Sequence, residues 1–161
     1  MIETEALLHI AFEAEEAGDY ARAREGYARC ADLGDVTGLT NLAYMHDTGL
    51  GAPPDKDEAM RLYRRAWRRA TCTVSANNIA ILYRERGDHR AMVRWFARGA
   101  AAGDDSACLQ LAKCYLEGVG VRRSVEAAVR CLARVLASDT VYEDDIDQAE
   151  ALMEPFRPRL A

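Results

Sequence analysis

The stretch LAYMHDTGLGAPPDKDEA at residues 42–59 returns 69 positions later as LAKCYLEGVGVRRSVEAA at residues 111–128. The two copies agree at Leu42/Leu111, Gly49/Gly118, Gly51/Gly120 and Ala59/Ala128. An internal period of this kind indicates stacked supersecondary units rather than one irregular globule. Such stacks commonly present an extended surface to a partner.

Two shorter loops repeat with the same spacing. The tripeptide AGD ends at Asp19 and RGD ends at Asp88, again 69 residues apart. The period is therefore a doublet, in which a short-loop unit is followed by a long-loop unit, and the doublet occurs twice.

Local chemistry predicts where the helices end and begin. A glycine follows each apolar pattern, where a left-handed residue closes a helix, and an oxygen-bearing side chain then caps the next one. The glycines are Gly18, Gly49, Gly87 and Gly118, and the caps are Asp19, Asp55, Asp88 and Ser124. Asp55 and Glu58 also have the spacing of a capping box. We predict helices over 3–17, 20–33, 36–48, 55–70, 73–86, 89–102, 105–117, 124–137 and 144–154.

Charge is distributed unevenly, although the formal net charge is only −5. Residues 1–59 hold thirteen acids and four bases, residues 60–98 hold ten arginines and two acids, and residues 99–161 hold eleven acids and seven bases. A basic middle segment favours an acidic partner if its arginines are free, but it is also typical of solvated helix faces with ion pairs. Nucleic acid is not expected, because the chain is acidic and its arginines lack interleaved aromatic residues.

Composition excludes several other classes. The odd count of five cysteines, without a CxxC pair, favours reduced thiols in the cytoplasm over a disulfide framework. The acidic first residues predict no secretory signal, and no segment is apolar enough to span a membrane. The cysteines and three histidines lack ligand spacing, so neither a metal nor a cofactor is expected. We predict Cys114 and Cys131 in the core and Cys72 as the most exposed thiol.

The long-loop units resemble the Sel1-like repeat, a branch of the tetratricopeptide-repeat superfamily, and the short-loop units resemble ordinary tetratricopeptide repeats. The matching residues of the second unit include Leu42, Ala43, Gly49, Gly51, Asp55, Ala59, Tyr63 and Ala66, and those of the fourth include Ala107, Leu111, Tyr115, Gly118, Gly120 and Ala128. His46 and Ser124 replace the family tyrosine and aspartate. The paired cysteines of secreted relatives are also missing, because the position paired with Cys108 is not cysteine.

The resemblance implies an all-α superhelix, a short solenoid of four helix-turn-helix repeats with a C-terminal capping helix. We expect a single domain over residues 1–161. Its units would cover about 3–34, 35–71, 72–103 and 104–139, with the capping helix at about 142–156 and its apolar stripe at Ile146, Ala149, Leu152 and Met153.

In proteins that the chain resembles, the first helix of each pair lines a concave face. Carried over by aligned position, this implies that partner-binding residues lie on those helices, namely Phe12, Thr40, Asn41, Tyr44, Asn77, Asn78, Ile81, Arg84, Gln110 and Lys113. One aligned row, His9, Asn41, Asn78 and Gln110, is polar in all four units. Its side chains either bind a peptide backbone or satisfy neighbouring loop carbonyls.

Trp67 lies among arginines and is a further candidate binding residue, although packing against the next unit is the favoured explanation of its position. Trp95 aligns with core positions.

The sequence thus predicts a non-catalytic protein-interaction module or adaptor that binds a protein or peptide, as a monomer or weak homodimer. An immunity or antitoxin-type protein that neutralises a toxin is an alternative, and the charge asymmetry suits steered binding. A hydrolase is disfavoured, because a nucleophile–base signature is missing.

Overall fold

The chain folds into helices joined by short loops, as a computed structural model describes for residues 2–159 and, for side chains, 4–156. Within that part of the chain there are nine α-helices, one terminal 3-10 segment at Glu154–Arg159 and no strand. The helices are α1 Ile2–Glu16, α2 Tyr20–Asp32, α3 Val36–Thr48, α4 Lys56–Ala70, α5 Thr73–Glu85, α6 His89–Ala101, α7 Asp105–Glu117, α8 Val125–Leu136 and α9 Glu143–Met153. The all-α helix-turn-helix repeat fold is confirmed, and each helix boundary lies within one residue of its prediction.

The contacts divide the chain into two compact units, Met1–Ile79 and Ala80–Ala161. From here on, "first unit" and "second unit" mean these two compact units, and the four helix pairs are called short-loop or long-loop units. In the first unit α1 packs on α2, α2 on α3 and α3 on α4. In the second unit α6 packs on α7, α7 on α8, and α9 on both α7 and α8. The boundary falls within α5, inside the unit that the sequence predicts over residues 72–103.

The helix caps form as the loop chemistry predicts. Asp19, Asp88 and Ser124 each accept a hydrogen bond from the backbone N–H three residues further on, at 2.9–3.2 Å. The capping box at Asp55 is only half formed. Its carboxylate accepts from the Glu58 N–H at 2.9 Å, but the Glu58 side chain instead accepts a hydrogen bond from the Arg61 guanidinium at 2.7 Å.

The long loops close against the start of an earlier helix. Gly51, at φ +76°, lies so close to Tyr20 that an added Cβ would approach the Tyr20 Cβ to 2.7 Å. Gly120, at φ +69°, lies in the same way against the backbone carbonyl of His89. Tyr20 and His89 begin the second helices of the two short-loop units, so each long loop rests on the short-loop unit before it. This contact gives the 69-residue doublet a physical basis.

The core combines a few large side chains with many small ones. Tyr27, Tyr63, Phe96, Leu39 and Leu132 are fully buried. Alanine is the most frequent residue type among the buried apolar residues of the described chain, and its small side chain lets helix backbones approach closely.

The predicted core positions are only partly correct. Trp95 and Cys114 are buried, which confirms both predictions. Cys131 is half-buried rather than buried, because its helix α8 lies beside an open groove that Cys131 helps to line. Cys72 is also half-buried, so it is one of the two more exposed thiols, as predicted for it. In α9 the stripe is confirmed, with Ala149 and Met153 buried and its other two members half-buried.

Some arginines of the basic middle segment have a structural role. The Arg65 guanidinium donates to the Ala31 carbonyl at 2.9 Å, and the Arg69 guanidinium donates to the Gly34 carbonyl at 3.0 Å. Both carbonyls lie at the C-terminal end of α2, where unpaired carbonyls and the helix dipole favour a positive charge. These two arginines therefore cap the C-terminal end of α2. Within residues 2–159, no helix is long and apolar enough to cross a bilayer.

Candidate functional site: a cationic pocket in the second unit

The predicted binding residues of the first unit have mixed surroundings. Phe12 and Tyr44 are 42% and 46% exposed, and the Phe12 ring packs edge-on against Tyr27 at a centroid distance of 5.6 Å. Trp67 is half-buried and interacts with at least one other residue of the chain. These aromatic residues keep part of their surface available to a partner.

Two other predicted residues face inward. The Thr40 hydroxyl donates to the Val36 carbonyl at 2.8 Å and lies 3.3 Å from the Ser75 hydroxyl of α5. Burial raises the pKa of Tyr63, and the half-buried Asn78 beside its hydroxyl opposes this increase. Asn41 and Asn77 are also half-buried. His9, which belongs to the same aligned polar row as Asn41 and Asn78, is instead exposed, and its Nε2 lies 3.3 Å from Glu13 Oε1.

The second unit brings three predicted residues together. Arg84, Gln110 and Lys113 line one pocket of about 180 Å³, formed where α5 ends, α6 begins and α7 approaches its C-terminus. The remaining lining residues are His89, Met92, Phe96, Cys114, Glu117 and Val119. Ile81, the fourth predicted residue of this unit, is half-buried and lies outside the lining.

Helix periodicity explains why these side chains meet. On α7 the lining residues Gln110, Lys113, Cys114 and Glu117 are spaced three and four apart, which places them on one face of the helix. On α6, His89, Met92 and Phe96 follow the same rule. The pocket is therefore the gap between one stripe of α6 and one stripe of α7, with Arg84 at its edge.

The floor of the pocket is apolar and uncharged. Met92, Phe96 and Cys114 are buried there. Burial raises the pKa of the Cys114 thiol and the Glu117 carboxylate adds to the increase, while the Arg84 guanidinium opposes it. The thiol thus stays protonated at neutral pH and behaves as a small apolar group, not as a nucleophile.

The rim of the pocket carries the charge. Lys113 Nζ donates to Gln148 Oε1 of α9 at 2.8 Å, which fixes the ammonium group without neutralising it. The exposed Arg84 guanidinium makes no hydrogen bond or ion pair within the described part of the chain. Glu117 supplies one opposing carboxylate. The arrangement can accept an apolar side chain and hold a carboxylate beside it.

The sequence prediction missed the α6 contribution. Apart from Trp67 on α4, it assigned binding to the first helices, whereas His89, Met92 and Phe96 belong to α6, the second helix of its pair. Their three- and four-residue spacing is visible in the sequence, but the same spacing is typical of a buried core face. Only the arrangement of α6 beside α7 reveals that the stripe of His89, Met92 and Phe96 lines a pocket open to solvent.

Comparison with known proteins identifies the repeats. The Sel1 repeat model matches residues 36–68 and 105–134, which are the two long-loop units. A search of curated proteins finds no match. The matched segments contain Gln110, Lys113, Cys114 and Glu117 of the pocket.

Solved structures show the same fold. A Sel1 repeat protein from Oxalobacter formigenes has a TM-score of 0.74 and 24% sequence identity, covering 82% of this chain and 57% of that one. The protective antigen c5321 of uropathogenic Escherichia coli, which has an SLR fold, has a TM-score of 0.72 and 17% sequence identity, covering 97% of this chain and 46% of that one. A tetratricopeptide repeat protein from Parabacteroides merdae has a TM-score of 0.68 and 17% sequence identity, covering 99% of this chain and 62% of that one. The chain thus spans about half to three fifths of the length of these proteins.

Proposed function

Because the chain carries two Sel1 repeats and is a Sel1-like repeat protein, we propose that it is a non-catalytic module that binds a partner protein. Proteins of this repeat fold typically serve as protein-interaction scaffolds. The observation that carries the proposal is the pocket of the second unit, which joins an apolar floor to a rim with two cations, Arg84 and Lys113, of which Lys113 is held by a hydrogen bond.

The size of the pocket favours a single side chain as its occupant. Its volume of about 180 Å³ lies below the roughly 300–1,000 Å³ of pockets for drug-sized ligands. An aromatic or large aliphatic side chain of a partner fits this space better than a cofactor does.

The charge of the rim selects what flanks that side chain. Arg84 and Lys113 outnumber the one carboxylate, Glu117. An arginine without an internal partner pairs readily with a carboxylate, because its guanidinium donates two parallel hydrogen bonds. We therefore propose that the partner presents an acidic residue next to an apolar anchor.

The cytoplasm is the proposed location. All five cysteines are free thiols in the structure, including the half-buried Cys72 and Cys131. Reduced thiols suit a reducing compartment. An inhibitor that neutralises a toxin would use the same kind of pocket, so that alternative stays a prediction.

Selection of peptides from a random display library tests the proposal without a known partner. We expect the wild-type protein to enrich peptides with an acidic residue adjacent to an aromatic or large aliphatic one. Arg84→Glu should weaken the affinity for these peptides by about tenfold or more, because a repulsion replaces an ion pair.

The matched control is Arg94→Glu, an exposed arginine on α6 outside the pocket lining. It makes the same change of charge and should alter the affinity less than about twofold. If no peptide class is enriched, or if the enriched peptides bind Arg84→Glu and the wild type equally, the pocket is not the binding site.

A further inference from the structure

The loop before α9 exposes an aromatic side chain to an unusual degree. Tyr142 is 81% exposed, the highest value among the exposed large hydrophobic residues of the described chain. It is followed directly by Glu143 and Asp144, both exposed. Residues 141–145, VYEDD, are called the Tyr142 segment below.

Tyr142 also occupies a position at which the chain elsewhere uses aspartate. The repeat helices α3 and α7 begin after Asp35 and Asp104, whose carboxylates accept from backbone N–H groups of the first turn at 2.7 and 3.2 Å. Tyr142 is the corresponding N-cap of α9 and makes no side-chain capping bond. Neither ring burial nor a capping bond of Tyr142 stabilises the folded monomer, so this side chain is available for a contact outside it.

The Tyr142 segment has the chemistry that the pocket of the second unit requires. It offers one aromatic side chain followed by two carboxylates that make no hydrogen bond or ion pair among the described residues. The third carboxylate, Asp145, is held within the molecule by the Ser106 hydroxyl at 2.9 Å. Since the ring is 81% exposed, it does not fill the pocket of its own chain.

We infer that the partner of the pocket is a second copy of this chain, which inserts Tyr142 over Phe96 and Met92 and places Glu143 or Asp144 against Arg84 and Lys113. This inference rests on the proposed function. The contact joins two different surfaces. The association is therefore isologous if two copies exchange the contact reciprocally, and heterologous, forming a ring or an extended chain, if they do not. Its strength depends on salt, because the paired charges lie at the exposed rim of the pocket.

Sedimentation velocity over a range of protein concentrations tests the inference, with Tyr142→Asp as the decisive variant. This substitution removes the anchor and supplies the missing cap. It should weaken self-association by at least about tenfold and raise the melting temperature by about 2–4 °C. A loss of association therefore does not reflect unfolding.

Val74→Asp is the matched control. Val74 is 58% exposed in the first turn of α5, so this variant also exchanges an exposed apolar side chain for aspartate near a helix start. Its self-association should equal that of the wild type. A wild-type protein that stays monomeric, or a Tyr142→Asp protein that associates as the wild type does, would overturn the inference.

A labelled peptide of residues 138–148, SDTVYEDDIDQ, isolates the contact in trans. It should bind the Tyr142→Asp protein saturably and lose about tenfold or more in affinity when Arg84→Glu is added. A peptide with Glu143→Arg and Asp144→Arg should show the opposite preference. If display-selected peptides bind the pocket and SDTVYEDDIDQ does not, the second copy is excluded while the proposed function stands. If neither binds, both fail.

Discussion

At the scale of single residues, the half-buried His46 shows how the repeat tolerates a departure from its pattern. An Arg24 Nη2 nitrogen lies 3.2 Å from His46 Nε2. A guanidinium only donates, so Nε2 accepts and the neutral ring carries its proton on Nδ1. Burial lowers the pKa of His46 and the Arg24 charge lowers it further, while Glu58 and Asp55 oppose the shift. The packing of α2 on α3 thus requires the neutral imidazole.

This arrangement predicts a pH dependence of stability. The folded-state pKa of His46 lies below the ordinary value of 6.5, so the unfolded chain binds the proton more readily. The contribution is fully present above about pH 6.5 and is lost as the pH falls toward the lowered pKa. His46→Gln keeps an acceptor for Arg24 and removes the titration. Urea unfolding from pH 7.5 to 5 should show a smaller loss of stability in this variant, and an unchanged loss would refute the assignment.

Two buried tyrosines offer a second test at this scale. Tyr27 Oη donates to the Glu15 carboxylate at 2.6 Å, whereas the buried Tyr63 Oη makes no hydrogen bond of normal geometry within the described part of the chain, although Asn78 lies beside it. Tyr27→Phe should cost about 1–3 kcal/mol, because it removes a hydrogen bond to a charged group. Tyr63→Phe should be neutral or stabilise by up to about 1 kcal/mol. Urea unfolding of both variants decides the point, and equal losses would contradict it.

At the scale of elements, the loops explain the alternation of units. Short loops need only a left-handed glycine and a capping residue. Long loops additionally need room against the preceding short-loop unit, which Gly51 and Gly120 provide. The order short then long is therefore a packing requirement and not a coincidence of two copies.

A matched pair of glycines tests this requirement. Gly87 and Gly120 have φ values of +75° and +69°, but an added Cβ at Gly87 would meet nothing within 4 Å. Gly87→Ala should cost about 1 kcal/mol, for the left-handed backbone alone. Gly120→Ala should cost clearly more, because the His89 carbonyl must also move. Thermal unfolding measures the difference, and equal costs would show that the loop contact is unimportant.

At the scale of the whole molecule, the features set by neighbouring residues in the sequence could be predicted, whereas contacts between residues far apart in the sequence could not. Helix boundaries follow from glycines and caps next to them in the chain, so the sequence locates them to one residue. The roles of Arg65 and Arg69 do not follow, because their acceptors lie more than 30 residues earlier. Identical residues thus serve either as helix closures or, at Arg84, as part of a pocket.

The candidate site was predictable only in part for the same reason. Aligned positions place Arg84, Gln110 and Lys113 among the binding residues, and the structure gathers them in one pocket. The pocket also depends on His89, Met92 and Phe96, whose spacing matches a core stripe. The relation between α6 and α7 decides which part of that stripe is open, and periodicity does not encode it.

The most direct test of the account is a map of where a bound peptide contacts the protein. The strongest display-selected peptide is titrated into the ¹⁵N-labelled protein, and amide shifts are followed by NMR. The account predicts that the largest shifts cluster at the end of α5, the start of α6 and residues 110–119, and that Arg84→Glu moves the titration to peptide concentrations about tenfold higher or more. Shifts that cluster elsewhere, or that follow the same titration curve in the variant, would contradict it.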